Sequence, residues 1–278
     1  MVLEPISAPF ADPPVAEVPL GRSPLVSVLF QVRFPGVASR IVQQLDANVI
    51  QQALADSFPF ATQEQSFSLL VQPGQPPMQQ AAGKVWVLHN ADRTWTANIA
   101  GDSVALTTTA YESRQDFLQR AELFLKVIEE TTGVPAMNRL GVRYLNRVAE
   151  LNVDGQDWLQ NLAIGARGIL HEAATFPEHR PHVVQAQSQM LYKWPPPTSH
   201  NLQCTWGLVP PNVVTDPNME PVAGESWLLD LDAFIEGQRS FHANSVVQQI
   251  DELANRAYRF FRWVLPPAAL ARFEPKDL

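Results

Sequence analysis

Residues 139–148, RLGVRYLNRV, alternate between two kinds of side chain. The even positions carry mostly apolar side chains, and the odd positions include three arginines. Because successive side chains of a β-strand point to opposite faces of a sheet, this stretch predicts a strand with one apolar face and one arginine-bearing face. The second face is either a binding surface or the solvated side of a strand. Its arginines are Arg139, Arg143 and Arg147.

Strands and helices are predicted on both sides of this segment by hydrophobic periodicity and by turn residues. The predicted strands cover residues 25–34, 66–72, 84–90, 94–99, 103–111, 140–148, 183–194, 201–209 and 226–234. The predicted helices cover residues 38–57, 113–133, 155–170 and 245–265. Ser113 and Ser245 are expected N-caps, and Gly133 is expected to end a helix. In the first helix, Val42, Leu45, Val49 and Ala53 fall on the expected apolar stripe.

The order of these elements begins again near residue 137. We therefore predict an α+β fold of two tandem β-α-β(3-4)-α units, residues 25–133 and 137–278, after an extended proline-rich arm over residues 1–24. The alternative is one continuous domain that contains both units. Such units commonly join into one curved antiparallel sheet with helices on one face, as in the TATA-binding-protein-like architecture, which serves here as a fold analogy only. Residues 210–225 form a long loop, which is typical of functional or disordered segments.

Composition limits the classes of partner. The chain has 278 residues, 46% hydrophobic and 17% charged, with a formal net charge of −8. A negative protein repels phosphate and anionic lipid, so nucleic acid and membranes are unfavourable partners. One cysteine, Cys204, excludes an intrachain disulfide and disfavours a cysteine zinc site. The sequence has no secretory signal and no apolar run of roughly 20 residues, so we expect a cytoplasmic protein, with self-association left open.

Three segments resemble a sporadically distributed family of uncharacterised bacterial proteins of about this length. They are residues 23–34 (SPLVSVLFQVRF), 140–148 (LGVRYLNRV) and 229–234 (LDLDAF) ahead of a long helix. An early P-hydrophobic-x-x-hydrophobic strand and a mid-chain hydrophobic-R-Y-hydrophobic-N strand recur in that family, and the resemblance covers most of the chain. It implies no established reaction and no catalytic residue. The scattered occurrence of the family implies mobile or defence-related gene neighbourhoods, such as toxin–antitoxin pairs.

The arginine-bearing face gives the main candidate site. If the second half forms a sheet, polar side chains of other strands lie on the same side as Arg143 and Arg147. Those side chains are Gln185, Gln187, Gln189, Lys193, Gln203, Thr205, Asp230 and Asp232. Amide and guanidinium groups bind peptide backbone, carboxylates or bases through paired hydrogen bonds. The other interpretation is an ion pair of Arg143 with Asp230 or Asp232 on a solvated face.

Other polar residues have both structural and functional interpretations. Asn146 lies on the apolar side of its strand, where it either satisfies a buried partner or contacts a ligand; a buried amide without a partner costs roughly 1–3 kcal/mol. Asp230 and Asp232 share a face, so they either bind Mg²⁺ and act in acid–base chemistry or are simply exposed. His179 and His182 are close enough to share a metal, although a polar surface loop explains them better, because no HExxH pattern accompanies them.

Three functions compete. The first is a non-enzymatic binding or scaffold protein, antitoxin-like or immunity-like, which holds a protein or extended peptide on the open sheet face and loops. It is motivated by the lack of a GxSxG, P-loop or GxGxxG motif, and it needs no catalytic residue, metal or cofactor. The second is a metal-dependent hydrolase or nuclease that uses Asp230 and Asp232. The third is a nucleic-acid binder, which the net charge disfavours.

Overall fold

The computed structural model describes residues 4–11, 14–36, 47–70, 78–153, 156–168, 170, 178 and 182–276. Within these residues the protein has an α+β fold with a large open antiparallel sheet of nine strands, which confirms the predicted fold class at this level. These strands are β1 (Leu25–Arg33), β2 (Phe60–Leu70), β3 (Met78–His89), β4 (Trp95–Ile99), β5 (Ser103–Thr108), β6 (Ala136–Ala149), β9 (Ala186–Lys193), β10 (His200–Val209) and β11 (Ser226–Ser240).

The remaining elements are short or helical. A separate hairpin joins β7 (Asn152–Val153) to β8 (Gln156–Asp157). The α-helices are α1 (Ala47–Ala53), α2 (Arg114–Thr132), α3 (Ile164–Arg167), α4 (Ala243–Val264) and α5 (Pro267–Leu270), with 3-10 turns at Trp158–Asn161 and Ala271–Phe273. In the nine-stranded sheet the strand order is β2-β3-β4-β5-β1-β6-β11-β10-β9. Among the helices in the described part of the chain, none is long and apolar enough to span a bilayer.

The chain forms two compact units that interleave in sequence. Unit 1 comprises Met1–Val28, Val142–Phe234 and Glu252–Leu278, and unit 2 comprises Leu29–Gly141 and Ile235–Asp251. The tandem boundaries expected from the sequence, residues 25–133 and 137–278, stay a prediction.

In unit 2, helix α2 covers one side of the strands. Phe117 packs against Phe30 of β1 with ring centroids 6.1 Å apart and against Trp95 of β4 at 5.9 Å. The predicted ends of the helix are confirmed. Ser113 Oγ accepts a hydrogen bond from the Asp116 backbone N–H at 3.1 Å, and Gly133 adopts the left-handed conformation that ends a helix without steric cost.

Two predictions for this unit were wrong in detail. Helix α4 begins at Ala243, two residues before the predicted cap Ser245. Its first N–H groups meet a carboxylate from another helix, since the Ala243 N–H donates to Glu129 Oε2 at 3.0 Å. The stripe predicted for residues 38–57 was also wrong in its described part, because Val49 is exposed while Ile50 and Leu54 are buried. Its other members, Val42 and Leu45, lie outside the described residues.

Some predicted ends of strands and helices differ from those in the structure, and others lie outside the described residues. Residues 37–46 and 71–77 lie outside the described residues, so the predicted helix 38–57 is described only as α1 and the predicted strand 66–72 only to residue 70. Strand β2 begins six residues earlier than predicted. Strand β11 continues to Ser240 rather than ending at residue 234, and β6 begins at Ala136 rather than residue 140.

In unit 1, the helix predicted for residues 155–170 was wrong. The described part of this segment contains a short strand, a 3-10 turn and the one-turn helix α3. Trp158 organises the segment, because its buried ring packs edge-on against Trp227 and Phe273 and its Nε1–H donates to Ala269 O at 3.3 Å. Gly168 has a φ of 53°, a conformation that ends a helix. Tertiary contacts of one tryptophan therefore override a weak helical pattern.

The described part of the proline-rich arm packs on unit 1. Phe10 stacks on Tyr192 of β9 with ring centroids 3.8 Å apart, and its carbonyl accepts a hydrogen bond from Trp194 Nε1 at 3.1 Å. Farther along, the Val18 N–H donates to Tyr258 Oη at 2.8 Å. Because prolines leave few backbone donors, side chains of the unit supply much of the arm's hydrogen bonding.

Candidate functional site

Arg143 of β6 is held by two carboxylates. Its Nε and Nη2 donate to Oδ1 and Oδ2 of Asp230 on β11 at 2.8 and 2.9 Å, a bidentate geometry. Its Nη1 donates to Asp216 Oδ2 at 2.8 Å. The structure therefore contains the ion pair with Asp230 that one interpretation of the sequence expected, and it adds a second carboxylate from a loop.

That loop, residues 210–225, folds over the arginine-bearing face. Leu145, which shares this face with Arg143, is buried in a small apolar cluster with Val209, Met219 and Leu228. Met219 comes from the loop, and the other three lie on β6, β10 and β11. The face is therefore not uniformly open, because burial of an apolar cluster ties part of the loop to it.

Arg147 holds the far part of the same loop. Its Nη1 donates to the backbone carbonyl of Glu220, and its Nε donates to Ser226 Oγ at 2.9 Å. Burial lowers the pKa of Arg147. Arg143 differs, because the hydrogen bonds to Asp230 raise the pKa of its guanidinium against the opposing effect of burial.

A pocket of about 260 Å³ remains beside this loop, entirely within unit 1. Its polar lining comes from four strands and the loop, and its apolar lining comes mainly from β10, β11 and the loop. The polar side chains include Arg143, Asp230, Gln185, Gln187, Thr205 and Thr215. The apolar side chains include Val209, Pro210, Val213 and Leu228.

Gly207 lines part of the pocket, and it allows β9 to approach β10 closely. Its φ is 155°, and a Cβ at this position would lie 1.9 Å from the Ala186 carbonyl oxygen. Gly207 faces Gln187 in the antiparallel register of these strands, as Thr205 faces Gln189. Only glycine permits this backbone approach.

The charges of the site do not balance. One guanidinium, that of Arg143, neutralises one of the two carboxylates of Asp216 and Asp230, which leaves a formal charge of −1 for the three groups. Asp216 Oδ1 is further occupied by the backbone N–H of Asn218 at 3.0 Å. Asp230 is more accessible, with its side chain 23% exposed against 7% for Asp216. The site is therefore mildly acidic, despite its arginine.

The predicted site residues separate into three groups. Arg143, Gln187 and Asp230 meet at the pocket. Gln189 is exposed on β9 and Asp232 is half-buried on β11, and neither lines the pocket. Arg147 holds the loop instead. Asn146 lies on the opposite face, where it is buried and donates from Nδ2 to Leu229 O at 3.3 Å, which matches the structural interpretation of that residue.

Candidate catalytic groups are less well arranged. Over the residues that the structure describes, no three His, Cys, Asp or Glu side chains are grouped as metal ligands. The carboxylate oxygens of Asp230 both accept from Arg143. Burial, aided by the charge of Asp230, raises the pKa of the Cys204 thiol, so this group is a poor nucleophile. His179 lies outside the described residues, and His182 is exposed.

Sequence reasoning missed the loop side of the site. Asp216, Thr215 and Val213 all lie in residues 210–225, which the sequence marks only as a long loop. Asp216-Pro217-Asn218 is a turn pattern, and Asp216 indeed accepts from the Asn218 N–H. That pattern predicts a turn but does not predict which strand the turn contacts.

The sequence matches no family model, and a search of curated proteins finds no significant match.

Proposed function

We propose that this chain is a non-enzymatic binding protein that holds an extended segment of a protein partner along the edge of unit 1, beside the Arg143 pocket. The observation that carries the proposal is the position of the pocket. It is lined by Gln185, Ala186 and Gln187, which belong to or precede the edge strand β9. A peptide added to that edge would therefore lie next to a pocket for one of its side chains.

Strand β9 has the features of an edge that accepts another strand. In the described ranges it pairs with β10 and ends the sheet. Its side chains alternate between half-buried and exposed, and Leu191 is 50% exposed. Main-chain hydrogen bonds to an added strand supply affinity, and pockets for alternate side chains supply specificity. Only Lys193 gives this strand a charge that discourages pairing.

The geometry gives less support to the competing functions. A metal-dependent hydrolase at Asp230 and Asp232 requires several ligands grouped around a metal, whereas no three His, Cys, Asp or Glu side chains are so grouped among the described residues. A nucleic-acid binder requires uncompensated positive charge, and the pocket combines its arginine with two aspartates. Neither alternative has an observation in its favour.

We extend the proposal to the fold and its origin. Strands β3-β4-β5-β1 are followed in the sheet by β6-β11-β10-β9. In each half the first strand is therefore innermost, and the last strand lies beside it. This order supports the proposed pseudo-duplication of TATA-binding-protein type. The resemblance to sporadically distributed bacterial proteins leads us to propose a role in a defence-related or toxin–antitoxin pair, in which the partner is encoded nearby.

The test uses linear random peptides displayed on phage and selected against the purified chain. We expect enriched peptides with micromolar affinity, measured by fluorescence anisotropy, and slower amide hydrogen exchange over residues 186–193 when peptide is bound. Gln187→Trp fills the pocket beside β9 and should weaken binding at least tenfold. Gln160→Trp, an exposed position on the 3-10 turn, is the matched control and should leave affinity unchanged. An absence of enriched peptides, or equal affinity for both variants, rejects the proposal.

A further inference from the structure

We infer that the Arg143 pocket takes a lysine side chain of the bound segment, an inference that rests on the proposed function. The charge, the lining and the remaining hydrogen-bond capacity of the pocket support this choice.

The charge favours a cation over an anion. The guanidinium of Arg143 already donates from Nε, Nη1 and Nη2 to two carboxylates. A carboxylate ligand would compete with Asp230 for the same donors and would add a second negative charge to a site that already carries a formal −1. Two neighbouring carboxylates in a partly buried site repel each other more strongly than they would in water. An incoming cation instead balances the three groups.

The lining fits a side chain with an apolar stem. Val209, Val213 and Leu228 supply apolar surface beside the polar groups. Lysine buries its methylene chain on such surface while its ammonium stays at polar partners. A volume of about 260 Å³ accommodates that side chain without displacing the loop.

The acceptors suit an ammonium better than a guanidinium. Each carboxylate oxygen of Asp230 already accepts one hydrogen bond from the Arg143 guanidinium. The lone pairs that remain on these oxygens can accept single hydrogen bonds but not the paired hydrogen bonds of a second guanidinium. An ammonium is a compact cation with three donors. It requires one carboxylate oxygen together with acceptors such as the hydroxyls of Thr205 and Thr215 or the amide oxygen of Gln187, all of which line the pocket.

The direct test titrates the purified chain with N-acetyl-lysine N-methylamide and follows the backbone amides of Thr205, Gly207 and Val213 by NMR. We expect saturable shifts in the millimolar range that weaken as salt is raised. The norleucine derivative keeps the stem without the charge and should bind at least tenfold more weakly. The glutamate derivative should give no saturation. Equal binding of norleucine, or preference for glutamate, overturns the inference.

Two neighbouring loop valines provide matched variants. Val213 lines the pocket, whereas Val214 is a comparably exposed neighbour that does not. Val213→Lys places an ammonium at the pocket in cis and should abolish binding of the lysine derivative, while Val214→Lys should leave it unchanged. Equal binding by both variants contradicts the inference, and circular dichroism checks that both variants fold.

The outcomes separate this inference from the proposed function. If displayed peptides bind at β9 and keep their affinity when every lysine is replaced by norleucine, the proposed function is supported and the lysine pocket is rejected. A pocket that binds the lysine derivative in a chain that selects no peptides supports the lysine pocket as a site and rejects peptide capture along β9.

Discussion

Arg143 and Asp216 are 73 residues apart in the sequence, and their side chains meet at 2.8 Å between Nη1 and Oδ2. The contact joins strand β6 to the loop that lies over its face. Together with the buried Met219 and the Arg147 bond to Glu220 O, it fixes this loop at three points. The loop is therefore an integral wall of the pocket.

Asp216→Ala is expected to lower the free energy of unfolding by about 1–3 kcal/mol, since it removes hydrogen bonds that a buried carboxylate makes to a charged partner and to a backbone amide. Urea denaturation measures this loss. Hydrogen exchange over residues 212–222 should become faster in the same variant. Glu220→Ala removes an exposed carboxylate of the same loop but leaves the carbonyl bond to Arg147, and it should change stability by less than about 0.5 kcal/mol. Equal losses in the two variants would argue against the contact.

Gly207→Ala is expected to disrupt the pairing of β9 with β10, because the added methyl group would overlap the Ala186 carbonyl oxygen. We expect a loss of at least about 2 kcal/mol in thermal or urea unfolding, accompanied by faster exchange of amides in β9. Gly224→Ala is the control, since a Cβ there meets nothing within 4 Å. A stable Gly207→Ala variant with an unchanged β9 would show that the strands can separate without cost.

Glu129 makes the start of helix α4 sensitive to pH. The pKa of its carboxyl is lowered from the ordinary value of 4.5, first by the Ala243 N–H and also by His242. A lowered pKa means that the carboxylate stabilises the folded chain above pH 4.5 and that this contribution is lost as the pH falls through the folded-state pKa. Because the side chain is 35% exposed, the effect is modest, about 0.3–1 kcal/mol for an anion at a helix N-terminus.

The pH prediction is measured by urea unfolding of Glu129→Gln and the parent chain. The difference in stability should be fully present at pH 6.5 and should shrink steadily as the pH is lowered below 4.5. Glu130→Gln, an exposed neighbour on the same helix, should give little difference at either pH. A deficit in Glu129→Gln that persists undiminished at pH 3 would exclude the charge as its cause.

Cys204 offers a probe of unfolding in unit 1. Its side chain is fully buried, and burial raises the pKa of the thiol, so a disulfide reagent reaches it only after the chain opens. At pH 8 we expect labelling at least about 1,000-fold slower in the folded than in the unfolded chain, which corresponds to an opening free energy of several kcal/mol. Gln160→Cys adds an exposed thiol as a positive control. Rapid labelling of Cys204 in the folded chain would contradict its burial.

Local signals predicted the elements whose ends are set by neighbouring residues. Helix α2 begins and ends where Ser113 and Gly133 place it, because a cap hydrogen bond and a left-handed glycine act over a few residues. The alternation in β6 likewise assigned Arg143 and Asn146 to opposite faces. The start of α4 could not be predicted in this way, since its cap is Glu129, which is 114 residues away from Ala243.

The sequence by itself determined an α+β chain, the face on which Arg143 lies and the strand whose two aspartates, Asp230 and Asp232, were its expected partners. Alternation and capping specify these features because they depend only on backbone period and short-range hydrogen bonds. Only the tertiary structure decided that Asp216 completes the site and that Trp158 replaces a helix with a turn. It also decided that Gly207 brings two strands together. Such contacts depend on which distant groups meet after burial, and no local pattern encodes that choice.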